Sequence, residues 1–476
     1  MVVGEITEDK DVVVIGGGPG GYHAAIRAAG LGRSVTLVEK EELGGTCLNK
    51  GCIPSKIFTH FAQEYKKLGH LSEMGIEFPE TKLNMSTLQN YRDKKITQLR
   101  KGVEALCKTN GVEIVKGTAS FLSETRIGVE NGHDFSLFNF KHAIIAAGGE
   151  FHYPAGIDFD SERILNEREI FTLDELPVEL AVYGADYISL EIASSFAVLG
   201  TKVTLIIPED LPVDPSISKE LLRLFKKQKM TVLKKSILQE VTCSGDRVRT
   251  VLKKENDEII SIESSHFVVS GTVKPNLGKL GLDRLGIELT GDGYIQTDRR
   301  GQTSIGSLWA IGDVTEGPSL AVKAIKQGKA AAEAITGGQP EVDLRHIPTV
   351  IQLTPPVAYA GLNEREAEEE GYKVSTSAFP VKANGYASVT GSSDGQVKIV
   401  CDRETDLILG VHMIGAGAVE LIQSGVLGLE MAARDEDFIF PHYAHPGFGE
   451  SLLEAVEGLK GTPVHLAPRK KEPAGR

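Results

Sequence analysis

The chain has 476 residues, 41% of them apolar and 25% charged, with 52 glycines and a formal net charge of −13. That length is more than one hydrophobic core fills, so two to four domains are expected. The acidic balance excludes a nucleic-acid surface, which needs clustered Lys and Arg. A membrane span is excluded too, since the apolar runs Val12–Ile15 and Ile144–Ala147 are only strand-length.

The opening stretch, Met1 to Lys10, is acidic and leads into a glycine-rich turn, so it does not read as a signal peptide. Cysteines stand at 47, 52, 107, 243 and 401, too few and too scattered for a secreted disulfide framework. A cytoplasmic location is therefore expected, with the one close pair, Cys47 and Cys52, redox-active. The charged stretch Pro468–Arg476 reads as a frayed tail.

In chain order, Asp11–Ile15 is a buried strand, Gly16 to Gly21 a turn, Tyr22–Leu31 a helix and Ser34–Val38 a second strand running into Glu39. This is a GxGxxG dinucleotide fingerprint on Gly16, Gly18 and Gly21, with an acid at ribose-binding distance. The glycines allow the tight turn, close approach to a pyrophosphate, and helix–strand packing. The phosphate then meets the helix N-terminal dipole.

Next comes Gly44-Gly45-Thr46-Cys47-Leu48-Asn49-Lys50-Gly51-Cys52-Ile53-Pro54-Ser55-Lys56. On an ideal helix two residues five apart point roughly 140° away from each other, so bridging the thiols needs a distorted turn, which Gly51 eases. A strained bridge at a helix start is easily reduced, and its thiolate is stabilised by the dipole. Zinc fits poorly, for want of two further ligands. Two inert thiols fit poorly among Gly, Asn and Lys.

The nucleotide unit then recurs. Leu180–Tyr183 is a strand, Gly184 opens a turn, Tyr187–Leu199 is a helix and Thr201–Ile207 a strand, and the 23-position spacing from Gly16 to Glu39 is repeated from Gly184 to Ile207. One unit for FAD and a second for a nicotinamide dinucleotide are expected. The second copy is degraded: Asp186 replaces the second glycine, Ser189 the third and Ile207 the ribose-binding acid, with Ser189 expected to matter least. A phosphate about 4 Å from Asp186 meets at most about 4 kcal/mol of repulsion at an effective dielectric near 20. Farther on, Thr303 to Ala310 reads as a strand leading to Gly312-Asp313. From Ile347 the strands Val350–Leu353, Ala383–Thr390, Val397–Cys401 and Ile408–Ile414, then helices, indicate a separate α+β domain.

Taken together, the glycine turn, the Cys47–Lys56 segment, the Ala310-Ile311-Gly312-Asp313 run and His445-Pro446 resemble the pyridine nucleotide–disulfide oxidoreductase family over about residues 11 to 465. The Ile-Pro-Ser-Lys ending is similar to its dihydrolipoamide dehydrogenase branch. The resemblance implies an α/β chain with two Rossmann-like dinucleotide-binding domains and a C-terminal α+β dimerisation domain. Its divisions are 1–150 (FAD and the Cys pair), 151–275 (NAD-type, degraded), 276–346 (central) and 347–476 (interface).

It further implies that Cys47 meets substrate and Cys52 lies beneath the flavin, with Lys56 near the flavin and paired to Glu191. FAD contacts fall on Gly45, Thr46, Gly148, Gly312, Asp313 and Ala321. His445 becomes the base, oriented by Glu450, and acts on the partner subunit of a homodimer. Departures from the family pattern are Tyr443 and Val322 (both usually His), Gly447 (usually Thr) and a disrupted Gly-Arg-x-Pro-Asn motif at Thr272–Asn276. The implied activity is oxidation of dihydrolipoamide, or of a lipoyl-bearing protein, through FAD; the acceptor that the resemblance implies is NAD, and the degraded second turn argues against a normal NAD site. Alternatives are an ordinary NAD-linked enzyme, a disulfide reductase with another donor, and a non-catalytic flavoprotein that binds lipoyl domains.

Overall fold

The computed structural model describes residues 7–79 and 81–466, so the start of the acidic N-terminal stretch and the tail Pro468–Arg476 lie outside the described residues. The chain forms two compact units, each assembled from three segments. One comprises residues 1–57, 84–155 and 271–344, the other residues 58–83, 156–270 and 345–476.

In the first unit the central strand Thr7–Ile15 pairs in parallel with Val35–Glu39 on one side and Asp134–Ile145 on the other. Glu113–Lys116 extends the sheet beyond Val35–Glu39, and Leu308–Ala310 joins it beside Asp134–Ile145. Strands buried on both faces read as continuous apolar runs, which is why Val12–Ile15 carries no polar alternation. Val12 and Val14 pack with Ala24, Ala25 and Ala28 of helix Pro19–Gly30 and Ala331 of helix Ala321–Ile335. Val13 and Ile15 face the other way, onto Phe121, Phe138 and Leu280. The small side chains of the two helices let their backbones touch: a Cβ on Gly328 would lie 2.5 Å from the Gly20 carbonyl oxygen.

The second unit repeats the design. Its parallel sheet runs Thr231–Lys234, Lys202–Ile207, Glu179–Tyr183, His266–Val269, Ile164–Asn166. The same unit holds an antiparallel sheet in the order Thr349–Ile351, Val357–Gly361, Ile408–Ile414, Gln396–Asp402, Val374–Pro380. Helices Ala418–Glu430 and Glu450–Glu457 cover it through Ile422, Leu452 and Ala455, packed on Ile399, Val411 and Met413. The fold is thus α/β, with two Rossmann-like elements and a C-terminal α+β domain.

Two expected strands differ: of Thr303–Ala310 only Leu308–Ala310 is extended, with bend and turn before it. Ala383–Thr390 is not extended: it is a short turn at Val381–Ala383 followed by helix Gly385–Val389. The Asn384 side chain caps that helix by accepting the Ala387 N–H at 3.0 Å, and Asn at an N-cap outweighs a weak two-residue alternation. Strands Val357–Gly361 and Val374–Pro380 were not anticipated. The second, Val-Ser-Thr-Ser-Ala-Phe-Pro, has too few apolar residues to show the period. At Thr272–Asn276 the departure from the family motif leaves the ladder whole, since Thr272–Pro275 pairs antiparallel with Gly149–His152.

Candidate active site

The first glycine turn is shaped for a dinucleotide. A Cβ on Gly16 would lie 2.3 Å from the Ala146 carbonyl oxygen, and one on Gly21 would lie 1.8 Å from the Gly16 oxygen, so neither position tolerates a side chain. Gly18 caps helix Pro19–Gly30 with no side chain on the first amides, which leaves the helix start to an anion. Glu39 accepts the Gly17 N–H at 2.6 Å and the Glu41 N–H at 2.7 Å, and each oxygen keeps a lone pair for a ribose hydroxyl. Gly45 lies directly behind this turn, where a Cβ would come within 2.7 Å of the Gly18 Cα. This cradle fits FAD.

Across the same unit, Gly312 and Asp313 follow the strand Leu308–Ala310. Burial pushes the Asp313 carboxyl up, with Lys323 opposing. Lys323 is itself buried and donates to the carbonyls of Thr315 (3.0 Å) and Glu316 (3.1 Å). Gln327 accepts the Gly312 N–H at 2.8 Å. Sequence reasoning missed Lys323 and Gln327. Their signal was two polar residues four apart in an Ala-rich helix. Ala321 opens that helix, Gly148 adopts φ 72°, and Asn276 donates its N–H to the Gly148 carbonyl at 3.0 Å.

The thiols lie on two helices, not on one distorted turn. Cys47 is on Gly45–Asn49, the chain breaks at Lys50-Gly51, and Cys52 opens the 22-residue helix Cys52–Glu73. The Gly51 and Lys50 amides both return to the Thr46 carbonyl, at 2.7 and 2.9 Å, and this closes the break. The cysteines are in the thiol form. A hydrogen bond to Cys52 holds the Cys47 thiol far above its usual range, with burial adding and Lys56 opposing. A thiolate formed at Cys52 meets the positive end of a long helix.

In the second unit, Glu450 opens helix Glu450–Glu457 and accepts from His445 Nδ1 at 2.6 Å and from the Gly447 N–H at 3.0 Å. The hydrogen bond from His445 holds the Glu450 carboxyl below its usual range. With Nδ1 donating to a carboxylate, Nε2 carries the free lone pair and the ring is oriented as a base. Asn384 Nδ2, another residue the sequence did not flag, holds this loop through the Gly447 carbonyl (2.9 Å) and Ser451 Oγ (3.1 Å). Tyr443, where the family has His, donates its hydroxyl to the Phe438 carbonyl at 2.8 Å, and burial pushes it up to about 12. Glu191 is buried and accepts the Gln352 N–H at 2.8 Å.

The second glycine turn differs from the first in one decisive respect. Asp186 is the N-cap of helix Tyr187–Val198, and its carboxylate takes the Ile188 N–H (2.9 Å), the Ser189 N–H (3.1 Å) and the Ser189 hydroxyl (2.7 Å). Those amides are the ones a pyrophosphate needs. Ser189 is no bystander: its Oγ stands 2.1 Å from where a Cβ of Gly184 would be, filling the hollow of the turn. Ile207 is buried in the core and offers nothing to a ribose. The second turn thus holds a carboxylate on helix amides where the first leaves them open.

These features define an enzyme class, the flavoprotein disulfide oxidoreductases. Residues 10–328 match the family model for pyridine nucleotide-disulphide oxidoreductases and residues 347–456 that family's dimerisation domain; the chain belongs to this family. It is 38% identical to a dihydrolipoyl dehydrogenase of Geobacillus stearothermophilus, over 98% of this chain and 99% of the relative. It is 36% identical to one from Bacillus subtilis, over 98% and 100%. Among solved structures, LpdA from Mycobacterium tuberculosis superposes with a TM-score of 0.88 at 25% identity, covering 94% of this chain and 99% of that one. The flavoprotein disulfide reductase RclA from Escherichia coli shares the fold at a TM-score of 0.83 and 22% identity. Among the described residues no helix is long and apolar enough to cross a membrane.

Proposed function

We propose that the protein oxidises a dihydrolipoyl group, free or protein-borne, through Cys47 and Cys52. The observation that carries this reading is the thiol pair itself, Cys47 hydrogen-bonded to Cys52 at a helix start in the unit that bears the dinucleotide cradle. In the oxidised enzyme the pair is a disulfide. His445 of the partner subunit takes a proton from one substrate thiol at Nε2, and the resulting thiolate attacks Cys47 Sγ. The Cys47–Cys52 bond breaks and Cys52 leaves as a thiolate stabilised by its helix dipole. The second substrate thiol then attacks the mixed disulfide. Cyclic lipoyl disulfide departs, the second thiol's proton passes to the leaving Cys47 sulfur, and the first proton stays on His445. Bound FAD supplies the two-electron sink for the reduced pair, held by Gly16, Gly18, Gly21, Glu39 and Asp313.

A homodimer is part of this reading, supported by the match to a dimerisation domain. So is a cytoplasmic location. The acceptor that empties the flavin is not NAD in our reading, supported by the Asp186 cap on the second turn. Stopped-flow mixing of the FAD-loaded enzyme with dihydrolipoamide and, separately, with NADH tests both parts. Fast flavin reduction by the dithiol and none by NADH is expected. No reduction by the dithiol refutes the substrate, and fast reduction by NADH refutes the acceptor.

A further inference from the structure

Helix Glu450–Glu457 carries three carboxylates, Glu450, Glu454 and Glu457, at spacings of four and three that place them on one face. Two histidines serve this face. His445 reaches Glu450 from the preceding loop, and His465 reaches Glu454 from the segment that follows the helix. The second contact copies the first: Nδ1 lies 2.5 Å from Glu454 Oε1, and the backbone N–H of His465 donates to Oε2 at 3.1 Å. In the first pair the Gly447 N–H plays the backbone part. Glu454 is buried where Glu450 is partly open, so its charge has little solvent to screen it.

An acidic face beneath a catalytic base carries a penalty. Each uncancelled carboxylate near His445 favours its imidazolium, and a ring that is already protonated accepts no proton from a thiol. We propose that His465 is a positioning residue for this proton chemistry: its ion pair with Glu454 cancels a charge one helical turn from Glu450 and so keeps His445 basic but unprotonated. The inference rests on the reading of His445 as the base. The hydrogen bond to Glu454 raises the affinity of His465 for its proton, with Glu450 and Glu457 adding to it. Burial and Glu454 push the Glu457 carboxyl up, with His465 opposing. Of the other charged groups on elements packed against this helix, Glu436 is exposed to solvent and the rest are engaged elsewhere. Asp435 binds Lys460, which also binds Asp406. Lys398 binds Asp214 and Glu364, Asp402 accepts from the Thr405 hydroxyl, and Asp437 caps its own helix.

The test is the pH profile of kcat/KM for dihydrolipoamide, measured on the FAD-loaded dimer. His465→Gln leaves Glu454 uncancelled, and the acid limb should move up by roughly half a pH unit or more. His465→Lys restores a cation and should keep the wild-type limb. The double variant Glu454→Gln, His465→Gln removes both charges and should also return to it. An unmoved limb in His465→Gln, or the same displacement in all three variants, overturns the proposal. A His445→Gln control separates the two readings: if it reacts at the wild-type rate, the base assignment itself fails.

Discussion

Cys47 and Cys52 differ in chemistry because they differ in position. One sits in the middle of a single-turn helix, and the other opens a helix of 22 residues. Replacing Cys47 by Ser should block reduction by dithiols altogether. Replacing Cys52 should abolish the long-wavelength absorbance that a thiolate beside a flavin produces. A Cys47→Ser enzyme that still turns over dihydrolipoamide sinks the assignment. His445→Gln should slow the dithiol step by about 10²–10⁴-fold, the usual worth of a placed base, and an unchanged rate makes His445 a loop residue only. Residues with a steric or chemical necessity stood out in the sequence. Gly16 and Gly21 have no room for a Cβ, and the cysteines sit among residues unsuited to a core. Asn384, Lys323 and Gln327 did not, because the contacts that matter are with residues distant along the chain, or with backbone that only the fold brings near.

At the scale of elements, Asn384 does two jobs, capping helix Gly385–Val389 and holding the His445 loop through Gly447. Asn384→Ala should cost about 1–2 kcal/mol in urea unfolding as a lost cap. It should also lower kcat/KM for dithiols without altering flavin content. Equal stability with normal activity would show that the loop holds itself. Asp214 is the second such point. It caps helix Pro215–Lys227 through the Ser216 N–H at 2.8 Å, and its other oxygen meets the buried Lys398 at 2.9 Å. Burial alone would raise its carboxyl, but Ser216 and Lys398 outweigh that and hold it low. A carboxyl depressed in the folded state adds stability above its unfolded value near about 3.9, and that stability drains away as pH falls further. Asp214→Ala removes the cap and leaves Lys398 with Glu364 alone, so it should cost about 1–3 kcal/mol at neutral pH, with a smaller difference in acid. Asn384 also shows why the expected strand at Ala383–Thr390 failed: propensity and alternation were weak there, and a single cap decided the outcome.

For the whole molecule, the two nucleotide units were legible as a repeat because each needs a glycine where the strand meets the helix. Their different fates were only half legible. The spacing marked Asp186, Ser189 and Ile207 as departures, yet it ranked Ser189 last, since a serine is small. In the fold that hydroxyl is bonded to Asp186 and fills the hollow over Gly184. The second turn therefore carries its own anion, and a dinucleotide has to expel it before its phosphates reach the helix. Wild-type enzyme should retain FAD through purification, yet show no change in melting temperature on addition of NAD or NADH, because a ligand stabilises only what it binds. Asp186→Gly alone removes the carboxylate but leaves Ser189 in the turn, so it should give little binding. Asp186→Gly with Ser189→Gly restores the cradle seen around Gly18 and Gly21. Adding Ile207→Glu sets a carboxylate to accept the Ala185 N–H as Glu39 accepts that of Gly17. The triple variant should be less stable than wild type without ligand, regain stability as NADH is added, and let NADH reduce the flavin. A micromolar dissociation constant for NADH in the wild type, with rapid flavin reduction, refutes the closed-site reading and makes the protein an ordinary NAD-linked enzyme. If the wild type stays silent and the triple variant does too, the block lies elsewhere, and the strand Thr272–Pro275, which lacks the family's arginine, is the next place to change.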